Sequence, residues 1–352
     1  MIFIIFVHIC WANVLYFFNL LCLFEKMERK NTIDIAKGLG IFLVIWGHTV
    51  CPIKPYFYLF HVPVFFLLSG YVFNGNDSIE ETFIKKIRSL VIPFIFFLIL
   101  QRIGFVIIHL LDGSFILNYL LLWKPVYPGL TIGPLWFFMA LFITTVIYSI
   151  INKLPNDFYK TGISFFLAFL GYLFFVHKIH LPFHIDSSLS MIIFFHIGKE
   201  ISKLKTERIA FKYWLLMAIS SIIFFIIFIN IYLPTIDVPL NIINGHYLPT
   251  LGEMFLGCFM LLLISKVTDY IPRVRTAISY IGRNSLTVFA IHIVFIYFVY
   301  LVFPKNTVSV FGGMCIALFA LVISLIINIL LQKYFPLFVG KKKVQRSNQF
   351  KK

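Results

Sequence analysis

The residues best suited to chemistry lie in one apolar stretch, Asp34–His48, which reads DIAKGLGIFLVIWGH. On a helix, the ten residues between Lys37 and His48 place these side chains about 16.5 Å apart along the axis and about 20° apart around it. Asp34 lies on the same stripe, one turn before Lys37, at a spacing that allows an ion pair. The stripe thus carries an acid and a base at one end and an imidazole at the other. Imidazole can take a proton from a hydroxyl near neutral pH.

A purely structural reading of this stripe is also open. Asp34 and Lys37 would then only extend their side chains toward one interface of a membrane, and His48 would sit in water at the other. Gly38 and Gly40 lie nearby and would let another helix approach closely. The choice depends on whether other reactive side chains gather around the stripe.

Three such side chains enter other apolar runs near one end: His61, Trp136 and Glu253. A carboxylate inside a membrane span normally faces a partner or a water-filled cavity. We therefore expect Glu253 and His61 to share a cavity with His48, to tune its basicity and to belong to the catalytic group. A lone tryptophan at a span end is more commonly part of the interfacial belt, but we expect Trp136 to contact the substrate.

A second set of candidates is mainly basic. Its members are Lys85, Lys86, Arg88, Arg283, Asn284 and His292. The cations, with the backbone N–H groups of a helix start at Asn284, would form an anion site for phosphates. Membrane topology alone would also produce such charges. His292 suits a packed histidine as well as a catalytic one.

The elements that must position these side chains are membrane helices. Of the 352 residues, 61% are hydrophobic and 12% charged, and the mean hydropathy is +0.95. A soluble domain of this length cannot hide so much apolar surface. Apolar runs of about 17–25 residues, the length that crosses a bilayer, recur along the chain. The sequence predicts an all-α polytopic integral membrane protein, and the spacing of its cysteines indicates no metal site.

Ten spans are expected, which would form a bundle of about ten transmembrane helices. They lie near residues 33–50, 57–73, 89–111, 134–152, 160–177, 187–198, 211–233, 248–265, 284–303 and 308–331. Another apolar run, 1–24, precedes them. It is an extra span, an uncleaved signal-like segment, or an extension upstream of a start at Met27.

The net charge of +16 is distributed in a way that predicts topology. Connections rich in Lys and Arg alternate with poor ones, and the two sets hold 23 and 4 such residues. The positive-inside rule then places both ends of the ten-helix core in the cytoplasm. We expect the protein in the cell membrane. The basic charge is accounted for by topology and by contact with lipid headgroups, so no nucleic-acid partner is expected.

Five stretches resemble, in order, the motifs of the membrane acyltransferase-3 family. The first is the motif of a basic residue, ten residues and a histidine, formed by Lys37 and His48. The others are Phe60-His-Val-Pro-Val-Phe-Phe-Leu-Leu-Ser-Gly70, Lys85-Lys-Ile-Arg88 running into Leu90-Val-Ile-Pro93, Pro134-Leu-Trp-Phe-Phe-Met139, and Ile281-Gly-Arg-Asn-Ser-Leu-Thr-Val-Phe-Ala-Ile-His292. The closest likeness is to the branch of fucose- and polysaccharide-modifying O-acetyltransferases.

This resemblance implies an acyltransferase-3-like membrane domain over residues 27–338, between an apolar N-terminal segment (1–26) and a basic cytoplasmic tail (339–352). It implies transfer of an acyl group, usually acetyl from cytoplasmic acetyl-CoA, to a hydroxyl of a cell-surface or lipid-linked glycan. It also implies that His48 is the essential catalytic residue. The family's Arg-x-x-Arg motif falls on Lys85 and Arg88, where Lys85 keeps the charge but lacks the bidentate fork of arginine.

The working hypothesis is a transmembrane acyl path. The nucleotide end of acyl-CoA would dock on Lys85, Arg88 and Arg283, near Asn284 and His292, and its arm would follow the stripe to His48. His48 would act as a general base or a transient acyl carrier. The alternative is a proton-coupled transporter, for which intramembrane charges and histidines are also typical. The acceptor sugar, the acyl group and the oligomeric state are not readable from the sequence.

Overall fold

The computed structural model describes residues 31–111, 133–203 and 210–340. The predicted segment 1–26 lies outside these ranges, as does the tail from residue 341 onward, so both interpretations stay predictions. The α-helices are α1 (Asn31–Gly47), α2 (Lys54–Tyr58), α3 (Pro63–Tyr71), α4 (Ile79–Lys86), α5 (Ile92–Leu111), α6 (Trp136–Ile151), α7 (Asp157–Val176), α8 (Ile185–Ile201), α9 (Phe211–Ile231), α10 (Tyr247–Asp269), α11 (Pro272–Arg283), α12 (Ser285–Val302) and α13 (Val310–Tyr334). Short 3₁₀ turns occur at Gly133–Leu135, Pro182–His184, Lys305–Thr307 and Pro336–Val339.

Seven helical segments in the described ranges are long and apolar enough to cross a membrane. They are Ile79–Ile108, Gly133–Ile151, Asp157–Val176, Phe211–Ile231, Tyr247–Asp269, Ser285–Val302 and Val310–Tyr334. The fold is therefore a helical multi-pass membrane bundle, as predicted, but the count of about ten spans is not confirmed.

The three other predicted spans, 33–50, 57–73 and 187–198, correspond to shorter helices. Helices α1 and α8 have 17 residues each and α3 has 9. Nearly every residue of α3 is buried, and so is most of α8. An all-round apolar helix suits the interior of a large protein as well as lipid, so hydropathy alone does not tell whether these helices cross the membrane.

The inner helices approach one another through glycines. Helix α3 packs on α8 and α1 packs on α11. A Cβ atom on Gly70 would overlap the carbonyl oxygen of Phe195, and one on Gly282 would overlap that of Asp34. Such small residues let helix backbones come into contact, as at many membrane helix interfaces. The start of α1 is thereby held against the end of α11.

Aromatic rings fix the position of α12 in the core. The ring centroid of Phe137 on α6 lies 5.0 Å from that of Phe289 and 5.3 Å from that of Phe66. Tilted and edge-on contacts at these distances are favourable beyond the area that they bury. Phe289 precedes His292 by one helical turn, so this cluster also orients the histidine.

Strands β1 (Thr235–Asp237) and β2 (Ile242–Asn244) form an antiparallel hairpin between α9 and α10, with Ile236 opposite Ile243. Strand β1 packs on α2, and α2 follows closely after α1. We call the side of the bundle where α1 begins the Asp34 side, and the side where it ends the His48 side. The hairpin lies on the His48 side.

A π-helical turn at Ile87–Val91 joins α4 to α5. This wider turn accommodates one additional residue, so side chains before and after it lie on different faces from those expected for a regular α-helix. Single π turns inside α-helices are frequent at functional sites. Here the turn begins within the basic segment Lys85–Arg88 and ends three residues after it.

Candidate active site

Two histidines meet where α1 ends. The ring centroids of His48, just after α1, and His292, in the middle of α12, lie 5.3 Å apart with an angle of 47° between the ring planes. His48 is half-buried, whereas His292 is fully buried. His292 was predicted to lie with the donor-binding residues, and the structure places it beside His48 instead.

The hydrogen bonds of His292 define its tautomer. Its Nδ1 lies 3.0 Å from the carbonyl oxygens of both Val288 and Phe289. A carbonyl can only accept, so Nδ1 carries the hydrogen and Nε2 carries the lone pair. Nε2 is buried and has no hydrogen-bonding partner in the described part of the chain. A basic nitrogen is thus held in the core beside His48.

A third histidine lies close by. His61 is 5% exposed, its Nδ1 donates to the carbonyl oxygen of Phe57 at 2.9 Å, and its ring centroid is 4.4 Å from that of Tyr58. The groups that act electrostatically on His48 are, in decreasing order, His292, His61, Lys54 and Lys305. His61 therefore lies within electrostatic range of His48, and its expected catalytic role stays a prediction.

Glu253 does not form the contact that was expected. Its side chain is 3% exposed, and neither carboxylate oxygen has a hydrogen-bonding partner among the described residues. No ion pair joins it to His48 or His61 in that part of the chain. The position of a residue along a predicted helix indicates its depth in the membrane but not the neighbours that its side chain faces. Glu253 was therefore predicted at the depth of His48 and His61, but it forms no ion pair with either of them among the described residues.

Trp136 likewise has a different neighbour. It is buried, and its ring centroid lies 5.7 Å from that of His184. His184 Nδ1 in turn donates to the carbonyl oxygen of Pro239, in the hairpin connection, at 2.9 Å. The described contacts of Trp136 are thus with the packing beneath the hairpin, and its predicted contact with substrate stays a prediction.

The other end of the α1 stripe carries charges. Asp34 Oδ2 lies 3.8 Å from Arg283 Nη1, and Lys37, one turn along, also attracts Asp34. The expected Asp34–Lys37 attraction is therefore present, but the closer partner is Arg283. Arg283 also donates to Ser279 Oγ at 3.2 Å, so part of its hydrogen-bonding capacity is used within α11.

Lys86, rather than Lys85, lies near the α1 stripe. Lys37 and Lys86 are both half-buried and repel one another. Lys85 is exposed and forms an ion pair with Asp77, with 2.8 Å between Nζ and Oδ1, and Arg88 is also exposed. Two ammonium groups that repel one another and keep accessible surface are suited to share an anion.

Asn284 links three helices. Its Nδ2 donates to the carbonyl oxygen of Tyr280 at 2.8 Å, and its Oδ1 accepts from Gln332 Nε2 at 2.8 Å. The amide side chain thereby connects α11, α12 and α13. These bonds favour a bracing role for the side chain, and the predicted role in anion binding would fall to the backbone.

Comparison with known proteins decides the family. The model of the acyltransferase-3 family, described as an acyltransferase domain, matches residues 30–333. This chain belongs to the membrane acyltransferase-3 family. Neither the curated proteins nor the solved structures give a match. Together with the seven membrane-length helices, the match makes the chain a multi-pass membrane acyltransferase and does not favour the transporter alternative.

In this acyltransferase-3 member, sequence reasoning overlooked some polar positions. Lys86 was grouped with the basic set but was not assigned to donor binding, because nothing in Lys85-Lys86 shows which lysine lies nearer α1 and the π turn after it is not visible in the sequence. Ser324 and Asn328, one turn apart on α13, are buried, and their side-chain polar atoms have no partner in the described ranges. Their four-residue spacing within an apolar run was the available signal.

Proposed function

We propose that this protein is a membrane O-acyltransferase that moves an acyl group, most simply acetyl, from acyl-CoA to a hydroxyl of a cell-surface or lipid-linked glycan. One relationship carries the proposal. The two ends of a single stripe on α1 have different neighbours: the ring of His48 lies beside that of His292 at one end, and at the other end Lys37 lies within electrostatic range of Lys86. The family supplies the reaction class. We assign binding of the acyl donor to the Lys37 end of α1 and the transfer step to the His48 end.

The Lys37–Lys86 end fits the donor. Phosphate groups need cations, and lysines bind them as point charges. Lys37 and Lys86 would hold an anionic group of CoA, and Arg283, 48% exposed at its side chain, would extend the positive surface. The distribution of Lys and Arg predicts that this end faces the cytoplasm, where acyl-CoA is made.

The His48 end fits the transfer step. The acceptor hydroxyl attacks the acyl carbonyl carbon, and His48 takes the hydroxyl proton as the carbon–oxygen bond forms. The carbon–sulfur bond then breaks, and His48 returns the proton to the departing thiolate. The products are an O-acyl ester and free CoA.

His292 would act by positioning His48. Once protonated, His48 carries N–H on both ring nitrogens, and the lone pair on His292 Nε2 is the nearby acceptor for one of them. That hydrogen bond would stabilise the charge that develops on His48. The arrangement resembles other catalytic bases, which are oriented by a third group.

Mass spectrometry of cell-surface glycans tests the proposal. Cells carrying the wild-type protein are compared with cells carrying His48→Ala and cells without the protein, after membrane insertion of the variant is checked. Acetyl-sized mass increments that require the wild type are expected. Increments that persist in His48→Ala would overturn the role of His48, and absence of any acyl increment with the wild type would count against O-acyl transfer to glycans.

A further inference from the structure

The inference rests on the proposed function and concerns the acceptor. Two lysines from separate connections converge on the His48 side. Lys54 begins α2, shortly after His48, and Lys305 lies in the turn between α12 and α13. The start of α13 is packed against α1's end, because a Cβ on Gly313 would overlap the carbonyl oxygen of Val50. Both lysines act electrostatically on His48 and on each other.

The position of Lys54 is set by the aromatic residues around the histidines. Its Nζ lies 4.6 Å from the ring centroid of Tyr58, and that ring in turn packs on His61. An ammonium group over a tyrosine face is favourably placed, so Lys54 is held close to the histidines. Lys305, in the turn between α12 and α13, is exposed. We call Lys54 and Lys305 together the rim of the site on the His48 side.

The charge on this rim is incompletely compensated. The carboxylate that attracts Lys54 is Asp237, at the end of β1. Asp237 is itself engaged by the backbone of Leu240 in its own hairpin. Burial, and then the charge of Lys305, lower the pKa of Lys54 below its usual value. An additional anion between the two lysines would relieve this repulsion.

We propose that the acceptor is an acidic saccharide whose carboxylate or phosphate binds between Lys54 and Lys305. Binding in this position presents a neighbouring hydroxyl of the saccharide to His48. The connections that are poor in basic residues, which the charge distribution predicts to lie outside the cytoplasm, contain only four Lys and Arg residues in total. Two of the four, Lys54 and Lys305, act electrostatically on the candidate catalytic histidine. Topology does not require that placement, whereas recognition of an anionic acceptor does.

Three matched probes test this class: methyl β-D-glucuronoside, its uncharged uronamide, and methyl β-D-glucoside 6-phosphate. All three keep the same ring hydroxyls at positions 2, 3 and 4. The purified full-length protein in nanodiscs is given acetyl-CoA and each probe, and acylated product is measured by mass spectrometry. We expect kcat/KM for at least one anionic probe to exceed that for the amide by about tenfold, the factor expected from one hydrogen bond to a charged group. Preference for one anion identifies carboxylate or phosphate as the source of the charge.

Variants test whether the preference for anionic probes depends on the rim lysines. Lys305→Gln should remove most of the preference, and Lys305→Glu should reverse it; Lys305 is exposed, so neither change should impair folding. Lys178→Gln, at an exposed lysine just after α7, is the matched control and should leave the preference unchanged. Equal use of amide and anionic probes, or a preference that survives Lys305→Glu, would overturn the proposal.

Failure of this inference is distinguishable from failure of the proposed function. If no probe is acylated while the glycan experiment shows acyl transfer, the acidic acceptor class is wrong and O-acyl transfer stands. If the glycan experiment is also negative, the proposed function itself fails.

Discussion

The imidazole rings of His48 and His292 lie 5.3 Å apart in the core, although most of the chain separates them in sequence. Neither residue has a carboxylate partner there: Glu253, expected to supply one, is buried without any partner in the described chain. The candidate base thus has a second imidazole beside it, whose Nε2 has no hydrogen-bonding partner among the described residues. Such a pair makes the two residues interdependent.

This interdependence predicts the outcome of a double-mutant cycle. His48→Gln should lower the turnover number by about 10²–10⁴-fold, the usual contribution of a general base. His292→Gln should lower it less, and the double variant should be no slower than His48→Gln, since residues that act as a unit are not additive. His246→Gln, at an exposed histidine, is the control. Additive losses measured from CoA release would contradict a shared role.

Neighbouring lysines should differ in donor binding. Lys86→Met removes a half-buried cation that faces Lys37, whereas Lys85→Met removes an exposed one paired with Asp77. We expect the KM for acyl-CoA to rise about tenfold in the first variant, as for loss of one charge-assisted contact, and to change little in the second. Steady-state kinetics at saturating acceptor measures both. A larger effect at Lys85 would contradict this expectation and would favour donor binding by Lys85 and Arg88, the positions on which the Arg-x-x-Arg motif falls.

The α1–α11 contact should tolerate no side chain at Gly282. A Cβ there would overlap the backbone oxygen of Asp34, so Gly282→Ala must separate the two helices. We expect a loss of about 1–3 kcal/mol or more in the free energy of unfolding, as for other overpacked cores, with reduced activity. Gly252→Ala is the control, since no atom lies within 4 Å of the added methyl. Thermal melting in nanodiscs compares the two, and equal melting temperatures would contradict the close contact.

Hydrogen bonds around the buried His196, away from the histidine pair, should contribute to stability. Thr161 Oγ1 donates to the carbonyl oxygen of Asp157 at 2.9 Å, so it accepts from His196 Nε2 at 2.9 Å. His196 Nδ1 then accepts from Tyr148 Oη at 3.0 Å. These bonds tie together α6, α7 and α8. His196→Phe leaves two hydroxyls without this partner and should cost about 1–3 kcal/mol, whereas the exposed His177→Phe should not; the measurement is the melting temperature.

The acidic-acceptor proposal predicts a pH dependence. Burial and Lys305 lower the pKa of Lys54, opposed by Asp237 and Cys51, so Lys54 loses its charge at a lower pH than an ordinary lysine. Below that pH the rim carries both positive charges. As the pH rises, the preference for glucuronoside over uronamide should fall before the usual lysine range is reached. The preference is measured as a ratio of kcat/KM values, in which pH effects on His48 cancel. In Lys54→Gln this early fall should be absent, and its persistence would refute the assignment.

The sequence by itself determined the helical membrane class, the family motifs and the stripe on α1. These depend on local properties: an apolar run specifies a membrane helix through its length, and ten intervening residues bring Lys37 and His48 onto one helix face through helical periodicity. Each of these signals is contained in a single segment, so no knowledge of neighbouring segments was needed.

Only the tertiary structure decided which side chains meet. It placed His48 beside His292 and Lys86, rather than Lys85, near Lys37, and it gave Glu253 no partner among the described residues. It also buried most of α3 and α8, which their hydropathy alone does not indicate. The reason is that composition and spacing give the depth of a residue and its face on its own helix. Which helices are neighbours, and how each is rotated, follows from glycine contacts, aromatic packing and the π turn acting together.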